Sequence, residues 1–149
     1  MKALIQRVSE ASVLVGERTT GSIGKGVLVL LGVEENDNEK SCRKLAEKVM
    51  SYRIFPDKEG KMNLSLKDVE GELLVVSQFT LAADTRKGLR PSFTQAAEPS
   101  KANALYKLFV DVSSQTIAHV ATGEFGADMK VALVNDGPVT ITIDSKNKE

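Results

Sequence analysis

From residue 27 to residue 33 the chain reads Val-Leu-Val-Leu-Leu-Gly-Val, without one polar side chain. A strand with one wet face alternates apolar and polar residues, so an unbroken apolar run specifies a strand covered on both faces. Such a strand belongs at the centre of a sheet, and the rest of the chain has to supply a layer on each side of it. Residues 73–79 give a second candidate for a buried strand.

Four further segments read as strands. Residues 3–8 and 11–15 are alternating and rich in β-branched side chains, which suggests two short antiparallel strands, and Gly16, Gly21, Gly24 and Gly26 punctuate the stretch between them and the apolar run. Residues 130–134 and 139–143 read as two strands on either side of Asn135-Asp136-Gly137-Pro138. Helices are fewer. Asn36 and Glu39 stand three apart like a capping box, and Cys42, Leu45, Ala46, Val49 and Met50 then recur at helical spacing, which predicts a helix over 38–50. Pro99 opens the longest helix, in which Ala102, Leu105, Phe109 and Val112 repeat at steps of three and four.

Two helices are too few and too widely spaced for a doubly wound βαβ repeat. We expect a mixed α+β fold, a layered α/β/β arrangement of largely antiparallel, barrel-like sheets with two main helices outside. With 149 residues and 42% hydrophobic composition, the chain is long enough for one core and too short for two ordinary domains, so we expect one domain over 1–149. The polar tail 144–149 is expected to fray.

No apolar run approaches the roughly 20 residues of a membrane helix, and residues 1–9 lack the pattern of an export signal. A single cysteine, Cys42, cannot form an internal disulfide and falls on the apolar stripe of a predicted helix. A cytoplasmic location and no membrane association are the expectation. Twenty basic and twenty acidic residues cancel, so no long-range field draws in a nucleic-acid backbone, and any RNA contact has to be local.

The usual catalytic inventories are thin. There is one histidine, His119, which falls near the end of the long predicted helix and reads as a surface or capping residue; no phosphate-binding glycine loop and no metal-ligand cluster is visible, so neither metal nor cofactor is expected. Three segments carry chemistry. At the end of an apolar strand, Ser77-Gln78-Phe79-Thr80-Leu81 delivers hydroxyls, an amide and an aromatic ring, a place where backbone N–H groups can cradle an oxyanion and Thr80 can orient or attack a substrate; it also fits a strand end with capping hydroxyls. Asn135-Asp136-Gly137-Pro138-Val139-Thr140 reads as a reverse turn, or as a backbone clamp approaching a ligand where glycine leaves room. Arg86-Lys87-Gly88-Leu89-Arg90-Pro91-Ser92-Phe93 sets three cations beside an aromatic ring, a pattern of solvated charge or of single-strand RNA binding.

Together these segments resemble the D-aminoacyl-tRNA deacylase family over nearly the whole chain. The likeness runs through Lys2-Ala3-Leu4-Ile5-Gln6-Arg7-Val8, Gly60-Lys61-Met62-Asn63-Leu64, residues 77–81, residues 90–93 and residues 135–140, with both family motifs intact. It implies hydrolysis of the ester joining a D-amino acid, or achiral glycine, to the 3′ end of tRNA, in translation proofreading. It implies a homodimer in which Gly137 and Pro138 form a cis peptide that enters the partner subunit's active site and excludes L-amino acids sterically, with Arg7 fixing that segment. Ser77, Gln78, Phe79 and Thr80 then line the catalytic site, and Phe125 and Met129 lie near the terminal adenosine. The resemblance leaves two mechanisms open, a Thr80 nucleophile and water attack assisted by the substrate's 2′-hydroxyl; the second fits a sequence with no base beside the motif. The alternatives are a noncatalytic RNA-end or protein-binding dimer and a threonine-dependent hydrolase of another small ester.

Overall fold

The computed structural model describes residues 1–147. In chain order its strands are β1 (Lys2–Val15), β2 (Arg18–Ile23), β3 (Gly26–Gly32), β4 (Phe55–Pro56), β5 (Met62–Leu64), β6 (Glu72–Ser77), β7 (Val120–Thr122) and β8 (Lys130–Asp144). Helix α1 (Glu39–Ser51) follows β3, and helix α2 (Pro99–Ser114) precedes β7. The main sheet has the order β2-β1-β3-β6-β7 with β8 also on β1, while β4 and β5 form a separate ribbon.

The apolar run is central, as its composition requires. Val27, Val29 and Leu31 join Ile5, Leu73 and Val75 under the helices, against Cys42, Leu45 and Val49 of α1 and Leu105 and Phe109 of α2. Leu28 points the other way, to Leu74, Val76, Val8, Val13 and Ile23. The period of two thus persists inside a segment whose composition hides it, because both faces meet apolar partners.

Pairing is parallel for β3 with β6 and for β6 with β7, and antiparallel elsewhere in this sheet. Thr20 of β2 donates its hydroxyl hydrogen bond to the Thr122 carbonyl of β7, 3.2 Å away, so the two ends of the sheet nearly meet. The result is a mixed α+β fold with a nearly closed, barrel-like sheet and two helices outside, in agreement with the expected class.

Several local expectations change. Residues 3–8 and 11–15 are parts of one strand, not a hairpin: no glycine or proline interrupts the polar pair Ser9-Glu10, and β1 simply exchanges partners, from β3 over Lys2–Val8 to β2 over Ala11–Val15. Residues 130–134 and 139–143 likewise form one strand, β8, which follows β1 along its length. The turn between them does not reverse the chain, since both flanks find partners on the same neighbour. Strands β2, β4, β5 and β7 go beyond the expected set. Asn38, not Asn36, caps α1: its side chain accepts from the Ser41 N–H at 2.9 Å, and Ser41 Oγ accepts from the Asn38 N–H at 3.0 Å. Asp37 sets that start point, held by the Glu34 N–H at 2.7 Å and by the Met1 ammonium at 2.6 Å.

The tail is tied down as far as it is described. Ser145 donates its N–H to the Met1 carbonyl at 2.9 Å and accepts from the Met1 ammonium at 2.8 Å, so residues 144–147 do not fray as expected; Lys148 and Glu149 lie outside the described residues. Among the described residues no helix is long and apolar enough to cross a membrane.

Candidate active site

Strand β6 stays in register with β3 until Ser77, and the Gln78 N–H still donates to the Leu31 carbonyl at 2.8 Å. The chain then folds into a 3-10 helix, Phe79–Ala82, whose Leu81 lies over Gly32. A β-carbon on Gly32 would stand 2.8 Å from that of Leu81, which accounts for the glycine within an otherwise branched run. The Phe79 and Thr80 N–H groups begin the 3-10 helix and have no backbone acceptor among the described residues, the usual condition at a helix start.

Beside this turn lies a cavity of about 470 Å³. Ser77, Gln78 and Phe79 line it from the end of β6, Ala97 and Pro99 from the start of α2, and Phe125 and Met129 from the loop after β7. Its walls are mainly apolar with a few convergent polar groups, the usual constitution of a small-ligand site. The Phe125 ring packs 6.0 Å from Tyr106, whose hydroxyl donates to the Val75 carbonyl at 3.1 Å. Burial pushes the Tyr106 phenol above its ordinary value, so it remains a neutral donor tying the cavity wall to β6 and α2. At the mouth, Phe79 is 59% exposed and packs at 5.1 Å on Phe93.

Five of the residues singled out from the sequence, Ser77, Gln78, Phe79, Phe125 and Met129, therefore share one cavity. Thr80 is exposed, just outside the lining, and its hydroxyl oxygen accepts from the Gln78 amide. Among the described residues no histidine, lysine or carboxylate hydrogen-bonds to that hydroxyl. His119 lies beyond α2 and not at its end, with a ring nitrogen 2.9 Å from the Ser22 carbonyl, so it belongs to the β2 and β7 seam. Cys42 is buried with its thiol against the Leu105 carbonyl at 3.2 Å, and burial pushes its pKa up to about 12. Among the described residues no three His, Cys, Asp or Glu side chains converge as a metal site.

Arg7, Gly137 and Pro138 form a second group, apart from the cavity of the same chain. Gln6 pairs with Thr140 and Val8 with Asn135, so the four residues 136–139 stand opposite Arg7 alone. The excess length lifts them out of the ladder as an extended bulge. Arg7 ties it to the segment before β4, donating from Nε to the Asp136 carbonyl at 2.9 Å and from Nη1 to the Ile54 carbonyl at 2.6 Å. The Gly137-Pro138 peptide is cis, and Gly137 has φ +138°, a conformation that L side chains rarely adopt. Asn135 closes the bulge: its amide donates to Thr140 Oγ1 at 2.8 Å and its oxygen accepts from the Val139 N–H at 3.0 Å. Asparagine ahead of a glycine turn is a side-chain-to-backbone signal, so this clasp has a mark in the sequence that the motif reading above does not use. The contact of Phe93 with Phe79 has no local pattern in the sequence.

The basic segment closes on itself next to the cavity mouth. Asp84 and Ser92 exchange backbone hydrogen bonds of 2.7 and 3.2 Å. Arg86 bends back onto Asp84 with two guanidinium bonds of 2.9 and 2.7 Å, which hold the Asp84 carboxyl down at about 2.

The family model described as "D-Tyr-tRNA(Tyr) deacylase" matches residues 4–144. The chain belongs to this family. Its relatives include a D-aminoacyl-tRNA deacylase of Pseudoalteromonas translucida (strain TAC 125), 59% identical over 143 residues, 96% of this chain and 99% of the relative. Another, from Thermotoga petrophila, is 57% identical and covers 97% of each chain. Membership makes the chain a hydrolase. Among solved structures, one described as "c-Myc DNA Unwinding Element Binding Protein" has a TM-score of 0.94 at 39% identity, covering 99% of this chain and 100% of its own. A probable eukaryotic D-amino acid tRNA deacylase shares the fold, with a TM-score of 0.84 at 18% identity over 95% of this chain and 97% of its own.

Proposed function

We propose that this protein hydrolyses the ester between a D-amino acid and the 3′ end of tRNA, as a cytoplasmic homodimer that proofreads translation. The observation that carries the proposal is the family match over residues 4–144 together with a cavity that ends on Ser77, Gln78 and Phe79. The cavity takes the terminal adenosine between Phe125 and Met129, with the acyl carbon at the β6 turn. Water adds to that carbon and gives its proton to the substrate's 2′-hydroxyl, which passes its own proton to the neighbouring 3′-oxygen. The Phe79 and Thr80 N–H groups stabilise the oxyanion, and the ribose 3′-oxygen leaves with a proton to give free amino acid and tRNA. Thr80 orients Gln78 and is not the nucleophile, in keeping with a hydroxyl that has an amide donor and no base beside it.

Chirality is read by main chain. Gly137 and Pro138, projected by the bulge and held by Arg7 and Asn135, enter the partner subunit's cavity and occupy the space that an L side chain would need. A main-chain wall rejects every L-amino acid alike, whereas a pocket shaped for one side chain could not, and achiral glycine passes with the D-residues. Support for the dimer comes from β8, which among the described residues pairs only with β1 and so presents a free edge of 15 residues carrying half-exposed Val134. Matched D- and L-aminoacyl-tRNAs test the proposal. The D-ester should disappear and the L-ester persist; equal survival of both would overturn it.

The 39%-identical structure described as binding DNA unwinding elements favours a second possibility, a nucleic-acid binder on the same scaffold without turnover. Retention of a nucleic-acid end with both esters intact would select it.

A further inference from the structure

The basic segment 84–93 plays no part in the chemistry above, yet it stands at the cavity mouth. Three observations define what it offers. Its position is fixed: the Asp84 and Ser92 bridge closes the loop, and Phe93 packs on Phe79, a residue lining the cavity. Its charges are unequal in availability, because Arg86 is engaged by Asp84 whereas Lys87 and Arg90 are exposed, and neither side chain makes an ion pair or hydrogen bond among the described residues. Its surroundings in sequence are one-sided, since residues 85–97 contain no acidic residue. Arg90 stands three residues from Phe93, which places their Cα atoms within about 11 Å of each other along the chain.

We propose that Lys87 and Arg90 form a phosphate-binding rim that holds the nucleotides immediately upstream of the terminal adenosine, with Arg86 as a positioning residue that shapes the loop through Asp84. The proposal rests on the tRNA deacylase function above and adds how the RNA end is held. A neutral molecule has no general attraction for RNA, so a local pair of unpaired cations is where the backbone contributes affinity. Because the rim lies outside the cavity, it acts on substrates that carry upstream phosphates and is silent toward those that do not.

That difference supplies the test. The Lys87→Ala/Arg90→Ala double variant is compared with wild type on D-aminoacyl-tRNA and on a D-aminoacyl-adenosine ester, which lacks the upstream phosphates. The double variant should lose about tenfold in kcat/KM on the tRNA ester, and the slope of log kcat/KM against log salt should fall by about 1.4 to 1.8, one released counterion per cation. Turnover of D-aminoacyl-adenosine should stay within about twofold. Unchanged salt dependence on the tRNA ester, or an equal loss on both esters, would overturn the proposal. Binding of uncharged tRNA to the same two proteins reads the rim without catalysis: weaker, less salt-sensitive retention by the double variant supports it, and identical retention overturns it. A wild type inert on both esters would instead remove the deacylase function while the binding measurement still decided the rim.

Discussion

Gly137 has φ +138°, and a β-carbon placed on it would lie 2.9 Å from Arg7 Nη2 and 2.9 Å from Val139 Cγ2. Alanine there carries about 1–3 kcal/mol of backbone strain and displaces the arginine that holds the bulge. Gly137→Ala should therefore lower the ratio of D- to L-ester turnover at least about tenfold. If that variant fails to fold, Asn135→Ala loosens the same bulge by removing two hydrogen bonds of about 1 kcal/mol each and should lower the ratio in a protein that still unfolds cooperatively. An unchanged ratio in both would leave the bulge without a role in chirality. Thr80→Ala should retain activity within about tenfold, because loss of a covalent nucleophile costs about 10⁴-fold or more; a loss of that larger size would make Thr80 the attacking group. Cys42 is expected to be inert. Its buried thiol ionises at about 12 in place of the ordinary 9.0, and the thiolate is the reactive form, so a thiol reagent at pH 8 should label it only after unfolding. The folded state holds that proton more tightly, so this contribution to stability is complete below about pH 9 and disappears as pH rises toward about 12. Rapid labelling of native protein would contradict the burial.

Elements were legible where periodicity or composition acts locally. The apolar run of β3 and the stripes of α1 and α2 each follow from what one segment must bury, and the structure places them within a residue or two of expectation. The failures concern long-range pairing. Nothing in Ser9-Glu10 says that β1 continues past them, because the reason is a change of neighbour from β3 to β2. Nor does Asn135-Asp136-Gly137-Pro138 distinguish a hairpin from a bulge, since the distinction depends on β1 pairing with both flanks. At the cavity, the β6 turn was readable as a change from apolar to polar residues, whereas the junction of Phe125 and Met129 with it became an expectation only through family likeness. Helix α2 contributes Phe109 to this layer, fully buried in the core that it shares with β3 and β6. Phe109→Ala should lower the unfolding free energy by about 3–5 kcal/mol, measured by urea denaturation with an unchanged slope. A loss below about 1 kcal/mol would mean that the helix layer repacks freely.

At the scale of the whole molecule, the two halves of the proposed site sit on different parts of one chain, and the chain by itself does not bring them together. Arg7, Gly137 and Pro138 stand on the bulge of β8 against β1, while the cavity lies beneath the β6 turn. The proposed dimer would resolve this, because an isologous pair would place the same bulge against the same cavity twice. The arrangement can be tested by mixing two defective chains, Gly137→Ala and Phe79→Ala, under conditions that let subunits exchange. In a mixed dimer, the Gly137→Ala chain keeps a sound cavity and meets the sound bulge of its partner, whereas the other site combines two defects. About half of the dimers are mixed after equal exchange, so about a quarter of all sites regain both intact parts. Turnover with strong D preference should then rise above the sum of the two proteins assayed separately. If each chain used its own bulge, no site in the mixture would be whole, and the D-to-L ratio would remain at the average of the separate proteins however long exchange proceeded.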